Sequence, residues 1–202
     1  METMNPSPET LLLFPGVLHT TRFREAAVLN ASVAAEVEAL RREFDGTPPK
    51  EFGCTMYSTM VSAPELHLRP GLENLVEFVA EEVGSFADVL DYETGNGGIT
   101  KCWLNVLGSG DSCDLHNDTN SVVSGVYFVN SVSGGARLQF HAPSADEMIV
   151  IQKSQVTDLN VTEIFFDGEA GDLLLFPSYL MRSWTLNQSA EEQVMLLFTA
   201  IP

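Results

Sequence analysis

Gly95-Asn96-Gly97-Gly98-Ile99-Thr100-Lys101-Cys102-Trp103-Leu104-Asn105-Val106 divides the 202-residue chain into two halves with different apolar periods. Upstream of the glycine-rich turn, apolar residues recur at helical spacing. Val33, Val37, Leu40 and Phe44 share one face behind Asn30, a residue type that caps helices. Leu72, Leu75, Val76, Val79, Val83, Phe86 and Leu90 share another behind Pro70. Downstream, short runs of β-branched and aromatic residues alternate with clusters of Gly, Asn, Ser and Asp, which is the pattern of antiparallel strands joined by tight turns.

The expected strands are 99–106, 122–129, 136–141, 148–152, 162–166, 172–176, 182–186 and 193–200. Turns are expected at Gly108-Ser109-Gly110-Asp111, Ser133-Gly134-Gly135 and Gly168-Glu169-Ala170-Gly171. Two single-striped helices followed by this series of strands predict a mainly β fold with flanking α-helices. The core is a jelly-roll, or double-stranded β-helix, of cupin-like type. The chain then forms a single domain, 1–202, with a helical N-terminal cover at 1–95 and the jelly-roll at 96–202. In such a fold the helices cover the outside of the roll and a ligand enters at its other end.

Hydrophobic residues make up 45% of the chain and charged residues 19%, the balance of a packed globule. Twenty-eight acidic against ten basic residues give a net charge of −18, which repels phosphate backbones and anionic headgroups and so excludes nucleic acid and membrane as partners. A basic protein segment suits that surface better, and a homodimer stays open. Leu11-Leu12-Leu13-Phe14 is too short for a membrane span, and acidic residues precede it, which does not suit a signal peptide. Cys54, Cys102 and Cys113 are odd in number and form no Cys-x-x-Cys pair, so reduced thiols and a cytoplasmic location are expected.

Among the four histidines, His19 and His67 read as surface or packing residues. In His116-Asn117-Asp118 an imidazole and a carboxylate stand two residues apart, on the same side of an extended segment. A His-x-Asp supplies two donors to one ion and, with one more histidine, makes the facial arrangement that suits iron(II). The same tripeptide also serves as a polar turn in which the carboxylate bonds its own backbone. A glycine-rich phosphate loop and a G-x-S-x-G nucleophile elbow are both excluded, because the glycine clusters lack the required neighbours.

Further strings stand in order along the chain. They are Leu13-Phe14-Pro15, Trp103-x-Asn105-Val106, Gly110-Asp111 ahead of His116, Ser124-Gly125-Val126-Tyr127-Phe128, and Gly171-Asp172-Leu173-Leu174-Leu175-Phe176-Pro177-Ser178-Tyr179-Leu180. In this order they resemble the 2-oxoglutarate/iron(II) oxygenases, whose pattern reads W-x-N-V, H-x-H or H-x-D, S-G-V-Y-Y and G-D-L-x-x-F-P-S-W-L-x-H. The resemblance implies an oxidoreductase, a dioxygenase that binds Fe(II) and 2-oxoglutarate and hydroxylates an unactivated carbon–hydrogen bond of a small-molecule or protein substrate. It makes His116 and Asp118 the first two metal ligands and places Asn105 and Tyr127 in the cosubstrate pocket.

Two positions depart from the pattern. The third ligand falls at Arg182, whose guanidinium stays protonated and has no lone pair to offer a metal. The arginine that would clamp the distal carboxylate of 2-oxoglutarate falls at Gln193. Three arrangements follow. Arg182 pairs with Asp118 and fills the metal site of a catalytically inactive homologue that binds a small acid or a protein. Alternatively, iron keeps two protein ligands, completed by water or by His141. The third is a cupin-like enzyme with another metal or none. Arg137, Gln139 and His141 alternate along one strand; facing inward they offer a replacement cation, and facing outward they leave Leu138 and Phe140 in the core.

Overall fold

A computed structural model describes residues 16–93, 95, 97–142, 149 and 151–202. Two helices, α1 (Ala26–Glu43) and α2 (Glu73–Val89), accompany ten strands: β1 (His19–Arg22), β2 (Tyr57–Ser58), β3 (Gly98–Leu107), β4 (Cys113–His116), β5 (Val123–Phe128), β6 (Leu138–His141), β7 (Glu163–Phe166), β8 (Asp172–Pro177), β9 (Arg182–Trp184) and β10 (Gln193–Ile201). They form a six-stranded sheet in the order β1-β8-β5-β10-β3-β2 and a four-stranded sheet in the order β4-β9-β6-β7. Every pairing between strands is antiparallel. Two such sheets, with crossovers between them, make the jelly-roll.

The larger sheet is buried on both faces, and its sequence explains how. Because side chains alternate along a strand, Leu173 and Leu175 of β8 pack with the helices, beside Val33, Val79 and Phe86. Leu174 and Phe176 turn the other way, into the space between the sheets with Val126, Phe128, Leu138 and Trp184. All four are fully buried, which is why the strand reads as a continuous apolar run and not as an alternation. Aromatic contacts bridge the sheets: Phe128 meets Trp184 at 6.1 Å and Phe140 meets Phe176 at 4.9 Å, both edge to face.

Several expectations are corrected. Asn30 does not cap α1: the helix begins at Ala26, and the Asn30 amide oxygen accepts a 2.6 Å hydrogen bond from the Tyr127 hydroxyl. The segment 113–116 is a strand although it lacks β-branched residues; pairing with β9 imposes the extended form. The N-terminal half is more than a helical cover, because β1 pairs with β8 and β2 with β3, supplying both edges of the large sheet. Cys54 and Cys113 are joined by a disulfide, so only Cys102 is a free thiol, where three thiols were expected. The string Leu13-Phe14-Pro15 and part of the expected strand 148–152 lie outside the described residues, and positions 149, 151 and 152 are not in a strand.

Gly125 on β5 stands directly opposite Phe198 of β10, on the helix-facing side of the sheet. A Cβ there would overlap the Phe198 ring on β10, in van der Waals conflict with its outer carbons. Gly125→Ala is expected to lower stability by about 1–3 kcal/mol, the usual cost of overpacking a filled core, read as a lower urea midpoint with the far-ultraviolet circular dichroism of the native state unchanged.

Candidate active site

His116 closes β4 directly across from Arg182, the first residue of β9. Asp118 follows two residues later, its backbone N–H donating to the Ser178 carbonyl at 3.2 Å. Thus the end of β4, the start of β9 and the segment after β8 meet at one rim of the roll. The Arg182 guanidinium donates from Nη2 to Asp118 Oδ2 at 2.7 Å. Both partners are buried, Arg182 at 1% exposure, and the guanidinium lies 5.3 Å from the centre of the Phe176 ring.

Two serines extend the group. Ser124 donates to Asp118 Oδ2 at 2.5 Å, and the Ser124 and Ser178 hydroxyl oxygens are 2.8 Å apart. Ser124 has one proton and gives it to the carboxylate, so Ser178 must be the donor to Ser124. Both serines stand in the strings that carried the family resemblance, yet no role was read for them there. A serine beside proline or glycine gives no sign in sequence that its hydroxyl is buried on a carboxylate.

The chain leaves one acceptor and two donors unmatched at this point. Asp118 Oδ1, Arg182 Nε and Arg182 Nη1 are all buried and have no partner among the described residues. His116 is held differently. Its Nδ1 lies 2.7 Å from the Asp114 carbonyl, which can only accept, so Nδ1 carries the proton and Nε2 keeps its lone pair. The ring stacks on Phe52 at 4.6 Å. Burial, and then the positive charge of Arg182, push its pKa down to about 4.

The remaining sequence candidates are placed elsewhere. Tyr127 is turned to the helix layer, where it bonds Asn30; its position in β5 faces away from the space between the sheets, and burial pushes its pKa up to about 12. Arg137 lies on the outer face of the smaller sheet, pairing with Asp167 at 2.8 Å and lying over the Phe165 ring. His141 bonds Ser183 at 2.9 Å on that same outer face, while Leu138 is buried and Phe140 packs inward. The outward reading of this row is therefore the observed one. Asn105 and Gln193 are buried, and the side-chain oxygen of each has no partner. Gln193 begins β10 and pairs with Leu107, whereas Thr199, six residues on, is the residue level with Ser124. Six residues are about 20 Å of strand, so Gln193 is not brought to the His116–Asp118 pair.

The donor set can be tested against a metal. An iron(II) site of the facial type needs three protein donors. Here the third position carries a guanidinium, and Asp118 Oδ2 is already committed to it. Among the described residues, no group of three or more His, Cys, Asp or Glu side chains is placed to hold one ion. The residues present therefore supply two of the three ligands and do not fit the complete centre.

With the geometry in view, the relationships to known proteins take on meaning. Residues 101–199 match the family described as "Putative 2OG-Fe(II) oxygenase". The solved structure of the non-heme alpha ketoglutarate dependent epimerase SnoN is similar at a TM-score of 0.67 and 10% identity, over 93% of this chain and 77% of that one. HygX from Streptomyces hygroscopicus, solved with nickel, 2-oxoglutarate and hygromycin B, is similar at 0.64 and 12%, over 93% and 84%. A Pseudomonas putida prolyl-4-hydroxylase is similar at 0.60 and 15%, over 90% and 91%. No curated protein matches the chain in sequence. Over residues 101–199 the chain matches the 2-oxoglutarate/iron(II) oxygenase family, and its fold is that of the solved structures it resembles. Among the described residues no helix is long and apolar enough to cross a membrane.

Two predictions follow from the buried group. Arg182→Met strands the Asp118 carboxylate and is expected to cost about 3–5 kcal/mol, whereas Asp118→Leu combined with Arg182→Met is expected to be close to neutral; urea midpoints of the single and double variants measure the difference. His116 stays neutral in the folded chain down to about pH 4, while an unfolded histidine titrates near about 6.5. The unfolded chain binds the extra proton between those values. Stability is thus full above the unfolded pKa and is lost as the pH falls toward the folded one. His116→Gln should flatten that slope, checked by urea midpoints at about pH 5 and about pH 7.5.

Proposed function

We propose that this chain is an oxygenase of the 2-oxoglutarate/iron(II) type that hydroxylates an unidentified small-molecule or protein substrate. The observation that carries the reading is the state of the first two ligand positions. His116 presents an unprotonated Nε2, with its tautomer fixed by the Asp114 carbonyl, and Asp118 stands beside it, buried at the same rim. The family match over residues 101–199 supports it, as does the similarity to a structure solved with nickel and 2-oxoglutarate. Were iron to be held here, His116 and Asp118 would be its two protein ligands, and with 2-oxoglutarate it would supply the oxidising power for attack on a carbon–hydrogen bond.

A second reading is favoured by one contact. The 2.7 Å bond from Arg182 to Asp118 sets a fixed organic cation against the carboxylate that would hold the metal, so the pair needs no ion for charge balance. Under either reading the net charge of −18 disfavours nucleic acid as a partner. A cytoplasmic setting suits a chain with few cysteines, whereas the Cys54–Cys113 disulfide suits a more oxidising one.

Anaerobic titration with iron(II) and 2-oxoglutarate separates the readings through the visible charge-transfer band of the chelate. A band in the unmodified protein is the result expected of the oxygenase. A band that arises only in Arg182→His would show a pocket closed by one residue, and its absence from both proteins would overturn the cosubstrate assignment.

A further inference from the structure

The stretch between α1 and β2 passes beside the rim with little packing to hold it. From Thr47 to Thr55 no residue is fully buried, and segments with so few buried contacts are the ones that open locally. Its attachments run to β4 and the residue before it. The Thr55 N–H donates to the Ser112 carbonyl and the Ser112 N–H to Thr55 Oγ1, both at 3.1 Å, and the Cys54–Cys113 disulfide makes the link covalent. Gly53 lies close against β4, where a Cβ would overlap the Asp114 carboxylate. Phe52, two residues before Cys54, then covers one face of the His116 ring at 4.6 Å and 20° between planes. The crosslink therefore holds a lid on the imidazole of the rim.

Its two sulfurs are unequal. Cys113 is 2% exposed, whereas Cys54 is half-buried between the exposed residues Gly53 and Thr55. A thiolate from solvent thus reaches Cys54 Sγ first, and Cys113 Sγ is the leaving group. Cys113 Sγ lies 3.7 Å from His116 Nδ1, the nitrogen that carries the proton, so the departing thiolate forms beside an N–H donor. We propose that the Cys54–Cys113 disulfide is a site of thiol–disulfide exchange with a dithiol, and that its reduction releases Phe52 from His116. The first thiolate of the dithiol bonds Cys54 Sγ as the bond to Cys113 breaks and its electron pair passes to Cys113. The second thiol then displaces Cys54, so the dithiol ends as its own disulfide and its two protons end on Cys54 and Cys113. That the lid governs a working site rests on the reading of His116 as a metal ligand; the exchange and the release do not.

The test is hydrogen–deuterium exchange of the full, air-oxidised chain without added metal, before and after dithiothreitol, with iodoacetamide and mass spectrometry locating the freed thiols. The expected result is alkylation of Cys54 in folded protein and exchange over residues 47–55 faster by about tenfold or more, with the large sheet unchanged. The Cε1–H resonance of His116, assigned by its loss in His116→Gln, should move on reduction to its position in Phe52→Leu. Cys54→Ser should show both changes without dithiol. A bond that dithiothreitol reduces only in unfolding urea overturns the proposal, as does a reduced chain whose exchange and His116 resonance are unmoved. Absence of the disulfide from the air-oxidised chain overturns it too. The iron(II) and 2-oxoglutarate titration on both redox forms judges the site separately: a band in neither counts against the metal reading alone, while exchange still decides the lid.

Discussion

Burial of the six-stranded sheet on both faces is the constraint on which the rest of this structure depends. One face receives α1 and α2, the other the smaller sheet, and neither layer has another apolar surface to pack on. Leu173, Leu174, Leu175 and Phe176 serve both interfaces from one strand. The arrangement also fixes the site. The register that seats Phe176 between the sheets places Ser124 opposite it on β5, and the chain beyond β8 then delivers Ser178 and Arg182 to the end of β4. The rim is a consequence of core packing, and its polar groups are held by backbone pairing.

That rim contains a buried ion pair, and such pairs do not stabilise by default. Removing both charges from water costs several kcal/mol per ion, and their attraction recovers this only where hydrogen bonds satisfy what remains. Here the remainder is not satisfied among the described residues, where one carboxylate oxygen and two guanidinium nitrogens have no partner. The contrast with the surface arginines is instructive. Arg22, Arg41 and Arg69 each bond two carboxylate oxygens at exposed or half-buried positions near the surface, where such bridges contribute little. The arginine that is most costly to bury is thus the one left partly unpaired among the described residues.

The fold was legible in the sequence because it is written in periods. The helical spacing before residue 95 and the turn clusters after it are local signals, and they locate α1, α2 and most of the strands to within a few residues. What escaped was set by partners far along the chain. Cys113–His116 is a strand because β9 lies beside it, and Tyr57–Ser58 because β3 does. The face on which Tyr127 falls was equally hidden: the Ser-Gly-Val-Tyr-Phe string marks a strand but does not say which alternate residues meet the helices. The site was half legible. His116, Asp118 and Arg182, the positions singled out by the family resemblance, lie together at one rim, whereas Ser124 and Ser178 became visible only through the hydrogen bonds they make.

The identity of residue 182 also bears on how such a fold persists when its ligand set changes. A buried carboxylate that loses its cation must be protonated, solvated or paired. Any small neutral residue at 182 would leave Asp118 with the hydrogen bond from Ser124 alone. Arg182 supplies a positive charge from that strand position, its guanidinium carbon 5.3 Å from the centre of the Phe176 ring. Arg182 sets a positive centre beside Asp118, in the form of a group that can only donate hydrogen bonds.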